Sequence, residues 1–446
     1  TKHMTDNTTT NNTKTTAPRR MRWSWFPSLH FGDGMLLSVL VLTTIMMRRY
    51  GLNNSQIALY VSLLAIPFTL RPLFEMVVTY FRGTTKVWIL SAEFISALSL
   101  WLVAFTLPTT YWLQGTLCFM PFVVVSGVFY SIAANRFYTD DEATANHQHR
   151  LFALLSKSLA LLFGIGVMTM LAGNMEVVTR NVRYSWSLVF YIMAGVEFCI
   201  WLWHSIFLPG GKKPFVAKKD IFGLHGHDHV KAVDLMMQGW RNRLMLCFFL
   251  IFMLPLSLTI IIVPLFLIDM THNGGLSLAP QELGLALGTV GVVATFVGRW
   301  TGNLAIRHCQ WKECIIPMST ALLTYSILLE NLSNNIAYSL FDVCGIMLAC
   351  GIAIGFGSNA YTAIVELFAT KGGSQLRRAT AASLTWTTTI VAGVFAGLIQ
   401  MDIGYRQFFL ITIAASVASV TLAVIFFVFR SKLTANSENC TTFASK

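Results

Sequence analysis

Arg71-Pro72-Leu73-Phe74-Glu75 lies in the second hydrophobic stretch of the chain and is followed by Arg82 and Lys86 in a short loop. Arg299-Trp300-Thr301-Gly302-Asn303 lies in the eighth and is followed by Arg307 and Lys312. An offset of 228 residues carries Arg71 to Arg299, Glu75 to Asn303 and His149-Arg150 to Arg377-Arg378. Similar residues open the two stretches, Ser55-Gln56-Ile57 in one and Pro280-Gln281-Glu282 in the other. Matches at one offset in corresponding stretches indicate an internal repeat of six hydrophobic segments with parallel topology.

The segments follow from length. A helix needs about 20 apolar residues to cross hydrocarbon, and runs of that kind fall at 27–47, 56–80, 87–107, 114–135, 151–172 and 185–208. Six more fall at 243–269, 283–305, 314–331, 337–360, 379–400 and 406–430. The gap between the sixes opens on Pro209-Gly210-Gly211, carries Lys212, Lys213, Lys218, Lys219 and Lys231, and ends in Trp240-Arg241-Asn242-Arg243. The expected architecture is an all-α polytopic membrane protein of twelve transmembrane helices in two pseudo-symmetric six-helix bundles. Its parts are a disordered tail (1–23), the first bundle (24–208), a basic linker (209–242), the second bundle (243–432) and a second tail (433–446). The linker around 230–240 suits a short amphipathic helix lying on the membrane.

Composition excludes a water-soluble fold. Hydrophobic residues make up 55% of the chain and charged ones 12%, against roughly 25% charged in soluble domains. The net charge of +12 raises nucleic acid as a partner, but the basic residues sit between apolar runs rather than along one stripe. No nucleic-acid partner is expected. Their placement gives orientation instead, because cytoplasmic loops collect Lys and Arg. With both termini inside, the inner segments hold 24 of the 32 Lys and Arg, and the outer loops hold five: Arg48, Arg49, Arg180, Arg183 and Arg406. Arg71, Lys157 and Arg299 fall within spans. Both ends are therefore expected in the cytoplasm. Residues 1–20 contain no apolar run, so no cleavable signal peptide is expected.

Over residues 24–432 the sequence resembles the major facilitator superfamily. The basic loops after the second and eighth spans stand where that family keeps a Gly/Asp/Arg loop motif. Pro72-Leu73-Phe74-Glu75 leading to Lys86-Val87-Trp88-Ile89-Leu90 is similar to the second-to-third helix junction of muropeptide permeases, in the peptide/acetyl-CoA/drug transporter branch. Arg150-Leu151-Phe152-Ala153 running to Gly164 and Gly166 resembles their fifth helix. Arg71 departs from the branch, which shows an aromatic residue there, and Asp140-Asp141-Glu142 echo its acidic residues loosely. The resemblance implies a secondary active transporter, a symporter taking up a polar anionic solute by alternating access. A muropeptide or amino-sugar acid is the implied solute, and a monomer in the bilayer of the inner membrane the implied setting. An exporter of drugs or siderophores on the same fold is the nearest rival.

A charge within hydrocarbon costs several kcal/mol unless paired or hydrated, which makes each one a functional candidate. Arg71 and Lys157, with Arg299, suit an anionic substrate. A guanidinium grips a carboxylate or phosphate bidentately, and an ammonium acts as a point charge. The same residues also allow plain ion pairs, Arg71 with Glu75 and Lys157 with Asp33. Asp33 is the candidate proton carrier, since its protonation would respond to a neighbouring cation; the alternative is a helix-start carboxylate beside His30. Glu75, Arg82, Asn303 and Arg307 are the candidate gate at the cytoplasmic ends. Tyr130, Asn359, Tyr361 and Trp386 are candidate solute contacts, or core packing.

Glu93, Glu197 and Glu330, on spans expected to be peripheral, suit structural pairing or snorkelling. Gly284-x-x-x-Gly288, Gly351-x-x-x-Gly355 and Gly393-x-x-x-Gly397 permit close helix approach. The histidines of His225-Gly226-His227-Asp228-His229 suit solvation in the linker better than a metal, and no metal or cofactor is expected. Without a G-x-x-x-x-G-K-S/T loop, a proton gradient is the expected drive. A multi-pass membrane transferase is the rival from another class. It would need paired carboxylate clusters, and Asp140-Asp141-Glu142 stands alone, so enzymatic activity is not expected.

Overall fold

The computed structural model describes residues 19–80, 83–139, 147–210, 237–334, 338–369 and 374–429. Every regular element among them is a helix. The first set comprises α1 (Arg19–Arg49), α2 (Asn54–Leu64), α3 (Ile66–Thr69), α4 (Arg71–Tyr80), α5 (Thr85–Thr106), α6 (Trp112–Thr139), α7 (His147–Leu161), α8 (Thr169–Thr179) and α9 (Val182–Phe207). The second comprises α10 (Trp240–Ile251), α11 (Leu254–Ile268), α12 (Pro280–Leu283), α13 (Val292–Asn334), α14 (Leu340–Ala369) and α15 (Ser374–Val428). Two wide-turn π segments, Leu162–Met168 and Gly284–Gly291, join α7 to α8 and α12 to α13. Nine helical stretches among the described residues are long and apolar enough to cross a membrane.

The expected second span is broken into α2, α3 and α4. Pro67 stands in the first turn of α3 and Pro72 directly follows Arg71 at the start of α4. Proline lacks the N–H that continues a helix and is tolerated in the first turn, so the chain restarts twice and presents Arg71 at a helix start. In α13 and α15, each expected to be two spans, the break falls in the expected gap. α13 is two helices meeting at Gln310 (φ 61°, ψ 153°), and α15 two meeting at Gly404 (φ 80°, ψ 170°). A straight helix of 55 residues would run about 80 Å, far beyond a hydrocarbon core of about 30 Å. Gly404 takes its left-handed angle without steric cost.

Corresponding helix starts use related caps. The Asn53 side chain accepts from the Gln56 amide at 2.9 Å while the Asn53 amide reaches Gln56 Oε1 at 3.4 Å. At α12 the Ala279 amide donates to Glu282 Oε2 at 2.9 Å. The two matched sequence starts, Ser55-Gln56 and Gln281-Glu282, thus close on their helix N-termini through the same third position.

Glycines bring the sets into contact at two matched seams. A Cβ on Gly288 would lie 2.3 Å from the Gly166 amide nitrogen, and one on Gly397 would lie 2.3 Å from the Ala58 Cβ. Gly284 and Gly393 continue the seams against Met170 and Ser62. Gly351 and Gly355 serve within the second set, where they admit the backbone of Gly291 and Thr295.

Burial divides the core along the helix axes. One cluster runs through both sets, from Val39, Met46 and Ile57 to Leu265, Ala396 and Phe409. Toward the other end it splits. Trp25, Phe26, Ile89, Ala133 and Leu208 form a separate cluster in the first set, and Phe248, Ile315, Ile364 and Phe426 another in the second. The apolar interior is thus joined at the Arg48 end of α1 and forked at the Trp25 end.

Candidate functional site

At the joined end, Arg48 closes α1 and its Nε faces Asp269 Oδ1 as an ion pair. Asp269 caps the end of α11 and is 2% exposed. The loop after it folds back onto the backbone carbonyl of Asp269. Ser277 N donates to Asp269 O at 2.7 Å, and a Cβ on Gly275 would sit 2.4 Å from that same oxygen. Asn54 begins α2 and turns its Nδ2 toward Asp269 Oδ2 (2.9 Å), Gln400 Oε1 (2.9 Å) and the Tyr405 hydroxyl (2.8 Å). Tyr405 donates to Asp269 Oδ2 at 2.5 Å. Two residues of the first set and three of the second therefore form one buried polar network. A buried charge pair with its remaining atoms hydrogen-bonded fixes one geometry and is costly to half-remove.

Below this plug lies a cavity of about 260 Å³ between the sets. Leu40, Val41, Val61, Ile165, Ile261 and Ile354 give it aliphatic walls, and Thr44, Ser62, Thr295 and Thr389 supply hydroxyls. Trp386 forms one wall. Its ring stacks on Phe68 at 4.1 Å and 12°, joining α15 to the short α3.

At the fork, Lys157 Nζ pairs with Asp33 Oδ2 at 2.5 Å, their side chains 38% and 18% exposed. Arg71 Nη2 donates to Ser131 Oγ at 3.4 Å, and that serine also faces Asp33. Arg71 is in electrostatic reach of Asp33 and, from the second set, of Tyr361. Thr385 donates to the Tyr361 hydroxyl at 3.0 Å. Residues of α1, α4, α6, α7 and α14 thus converge where the core divides. The Arg71 guanidinium and the half-exposed ammonium of Lys157 can receive an anion, and Asp33 is placed to feel its arrival.

The remaining sequence candidates lie elsewhere. Arg299 Nε donates to Ser358 Oγ at 3.3 Å. Asn359 Nδ2 lies 3.2 Å from Arg299 O and 3.0 Å from Gly355 O, packed over Gly302, so it clamps α14 to α13. Tyr130 is buried and donates to Leu29 O at 2.6 Å. Glu75 does not pair with Arg71: Arg136 Nη2 holds its Oε2 at 2.7 Å and its carbonyl oxygen at 2.9 Å. Asn303 and Arg307 are exposed on α13. Among the described residues, no hydrogen bond or ion pair links Glu75, Asn303 or Arg307 across the two sets. Arg82, the Asp140-Asp141-Glu142 run and the linker histidines lie outside the described residues. Glu93 and Glu197 do not snorkel; both are buried inside the first set.

The plug was not singled out in the sequence. Arg48 reads there as one of the outer-loop cations, and Asp269 as a polar end to the seventh span. The available signal was the pairing of corresponding ends, Arg48-Arg49 finishing the first span of one half and a lone Asp finishing the first span of the other.

No family model and no curated protein matches the sequence. Solved structures do. A mutant of the nucleoside transporter NupG is similar with TM-score 0.65 at 14% identity, over 91% of this chain and 100% of that one. A structure from work on substrate recognition in proton dependent oligopeptide transporters gives 0.66 at 11% identity, over 93% and 99%. Tetrameric PepTSo2 gives 0.63 at 12% identity, over 93% and 99%. The fold is that of these transporters. At identities of 11–14% this likeness is one of fold.

Proposed function

We propose that this protein is a secondary active transporter that takes up a polar anionic solute together with protons by alternating access. The observation that carries the reading is the division of the interface. One end is closed by Arg48, Asn54, Asp269, Gln400 and Tyr405 over a shared core, and the other is forked around Asp33, Arg71 and Lys157. A carrier must close one end while a binding site faces the other. Counting α2–α4 as one crossing, and α13 and α15 as two each, gives twelve crossings in two bundles. The Lys and Arg asymmetry supports an orientation with both termini and the fork on the cytoplasmic side. A monomer suffices, because both sides of the site come from one chain.

In this reading Arg71 and Lys157 bind the anion, Asp33 carries the proton, and Tyr361 and Trp386 line the route. An anion reaching Lys157 weakens its hold on Asp33, so solute and proton occupancy become linked. The aliphatic cavity above the charges suits a solute with an apolar part as well as an acid, as in a muropeptide or an amino-sugar acid. Uptake into proteoliposomes under an imposed pH gradient, with anhydro-muropeptides and sialic acid as probes, tests the proposal. Gradient-driven accumulation of an acidic probe supports it. Flux directed solely outward, with no accumulation, favours the exporter.

A further inference from the structure

A second group of ionisable residues lies in the first set, away from Asp33 and Lys157. Glu93 on α5 is 2% exposed and its Oε1 meets His204 Nδ1 at 2.5 Å. His204 Nε2 meets Ser28 Oγ at 2.8 Å, and that hydroxyl lies 2.9 Å from Trp25 O. The imidazole is therefore engaged on both nitrogens. Glu93 Oε2 has no hydrogen-bond partner. It borders a void of about 20 Å³ that Glu197, Ser96 and Tyr130 also line. Glu197 is seven residues before His204 on α9, two turns along one face, and is 6% exposed.

A void of this size takes one water, given polar partners, and here two carboxylates and a serine hydroxyl surround it. The surrounding helices bring few other charges. On α1, His30 lies in reach of Asp33 and Lys157. On α6, Tyr130 lies in reach of Glu93, Glu197 and Asp33, with its proton donated to Leu29 O. Lys157 is engaged by Asp33, and Lys86 by the carbonyls of Ser205 and Leu208 at 3.0 and 2.6 Å. A single imidazole, held by Glu93 alone, thus accompanies two carboxylates in an apolar interior, where an uncompensated second charge is strongly disfavoured.

We infer that Glu93 and Glu197, with a water in the void between them and His204 as orienting partner, form a proton-binding site separate from Asp33. One carboxyl holds the proton, and release passes it from that O–H to the void water and leaves a second carboxylate behind. Tyr130, bordering the void and in reach of Asp33, lies between this site and the fork. The use of the proton in transport rests on the function proposed above; its presence does not.

Infrared difference spectra of the protein in lipid nanodiscs, stepped across pH, test the binding directly. The expected result is a protonated-carboxyl C=O stretch that titrates, is lost in Glu197→Gln or Glu93→Gln, and survives in Asp33→Asn. Should either glutamine variant fail to fold, Ser96→Ala removes a partner of the void water and is expected to shift the same band. A wild-type spectrum with no such band, or a band indifferent to these changes, overturns the site. In proteoliposomes Glu197→Gln is expected to keep gradient-free counterflow while its uptake loses part of its pH dependence. An unaltered pH profile overturns the coupling of this proton to transport. Absence of wild-type uptake rejects the transporter reading and leaves the infrared result standing on its own.

Discussion

The Arg48 guanidinium and the Asp269 carboxylate meet across the boundary between the two helical sets, at a depth where Asp269 is 2% exposed. No other ion pair among the described residues joins one set to the other. Removing one member of such a buried pair costs about 3–5 kcal/mol, because the survivor is left without a counter-charge. Asp269→Asn is therefore expected to loosen the joined end. Ser62, 2% exposed beneath the plug, reports it: as Ser62→Cys in a cysteine-free background it should label slowly, and at least several-fold faster once Asp269→Asn is added. Equal labelling would show that the pair does not hold this end shut.

The Lys157–Asp33 pair is more exposed, so its charges are partly screened and its stabilisation is smaller, about 1 kcal/mol or less. Lys157→Gln and Asp33→Asn should each lower the thermal midpoint slightly, and the double variant should regain part of the loss. Transport should not return with it. Asp33→Asn is expected to abolish proton-driven accumulation and leave counterflow, whereas Lys157→Gln should impair both. Intact accumulation in Asp33→Asn would remove that residue from the coupling role.

The matched glycine seams give a steric prediction. Gly288→Leu and Gly397→Leu place side chains where backbone or Cβ atoms stand 2.3 Å from the new Cβ. Overpacking of this kind costs about 1–3 kcal/mol and falls on contacts made at the joined end. Each variant should label faster at Ser62→Cys, as Asp269→Asn does. Gly345, with open space around it, is the control, and Gly345→Ala should behave as wild type.

Trp386 and Phe68 are stacked across the sets beside the cavity. An aromatic pair contributes about 0.5–1.5 kcal/mol beyond its burial. Trp386→Ala should raise the KM for solute with a smaller effect on the maximal rate if the ring touches the solute. A fall in rate at constant KM would instead identify it as a strut between the sets.

Much of the fold was legible because bilayer thickness leaves few solutions for apolar runs of about 20 residues. The same ruler misjudged continuity. It read 56–80 as one helix where Pro67 and Pro72 restart it. The break it put between 305 and 314 does fall there, at Gln310, where two helices meet. At the site, charge alone marked Asp33, Arg71 and Lys157, and the structure gathers them. It could not say that Glu75 turns to Arg136, nor that Tyr130 and Asn359 are bound to backbone carbonyls. Those outcomes depend on which helix face meets which neighbour. Arg48 and Asp269 escaped notice because each is ordinary at a helix end until the other is opposite it.

The two π segments sit face to face at one of the two matched seams, with the Thr289 hydroxyl reaching back 3.3 Å to Gly284 O inside one of them. A wide turn stores an extra residue relative to the regular α-helical winding. Rewinding one such turn to the regular pitch would rotate the rest of its helix by about 100° and push it outward by up to about 1.5 Å. This slack lies within the membrane-crossing rods themselves, so one rod can twist against its partner while the connecting loops stay still.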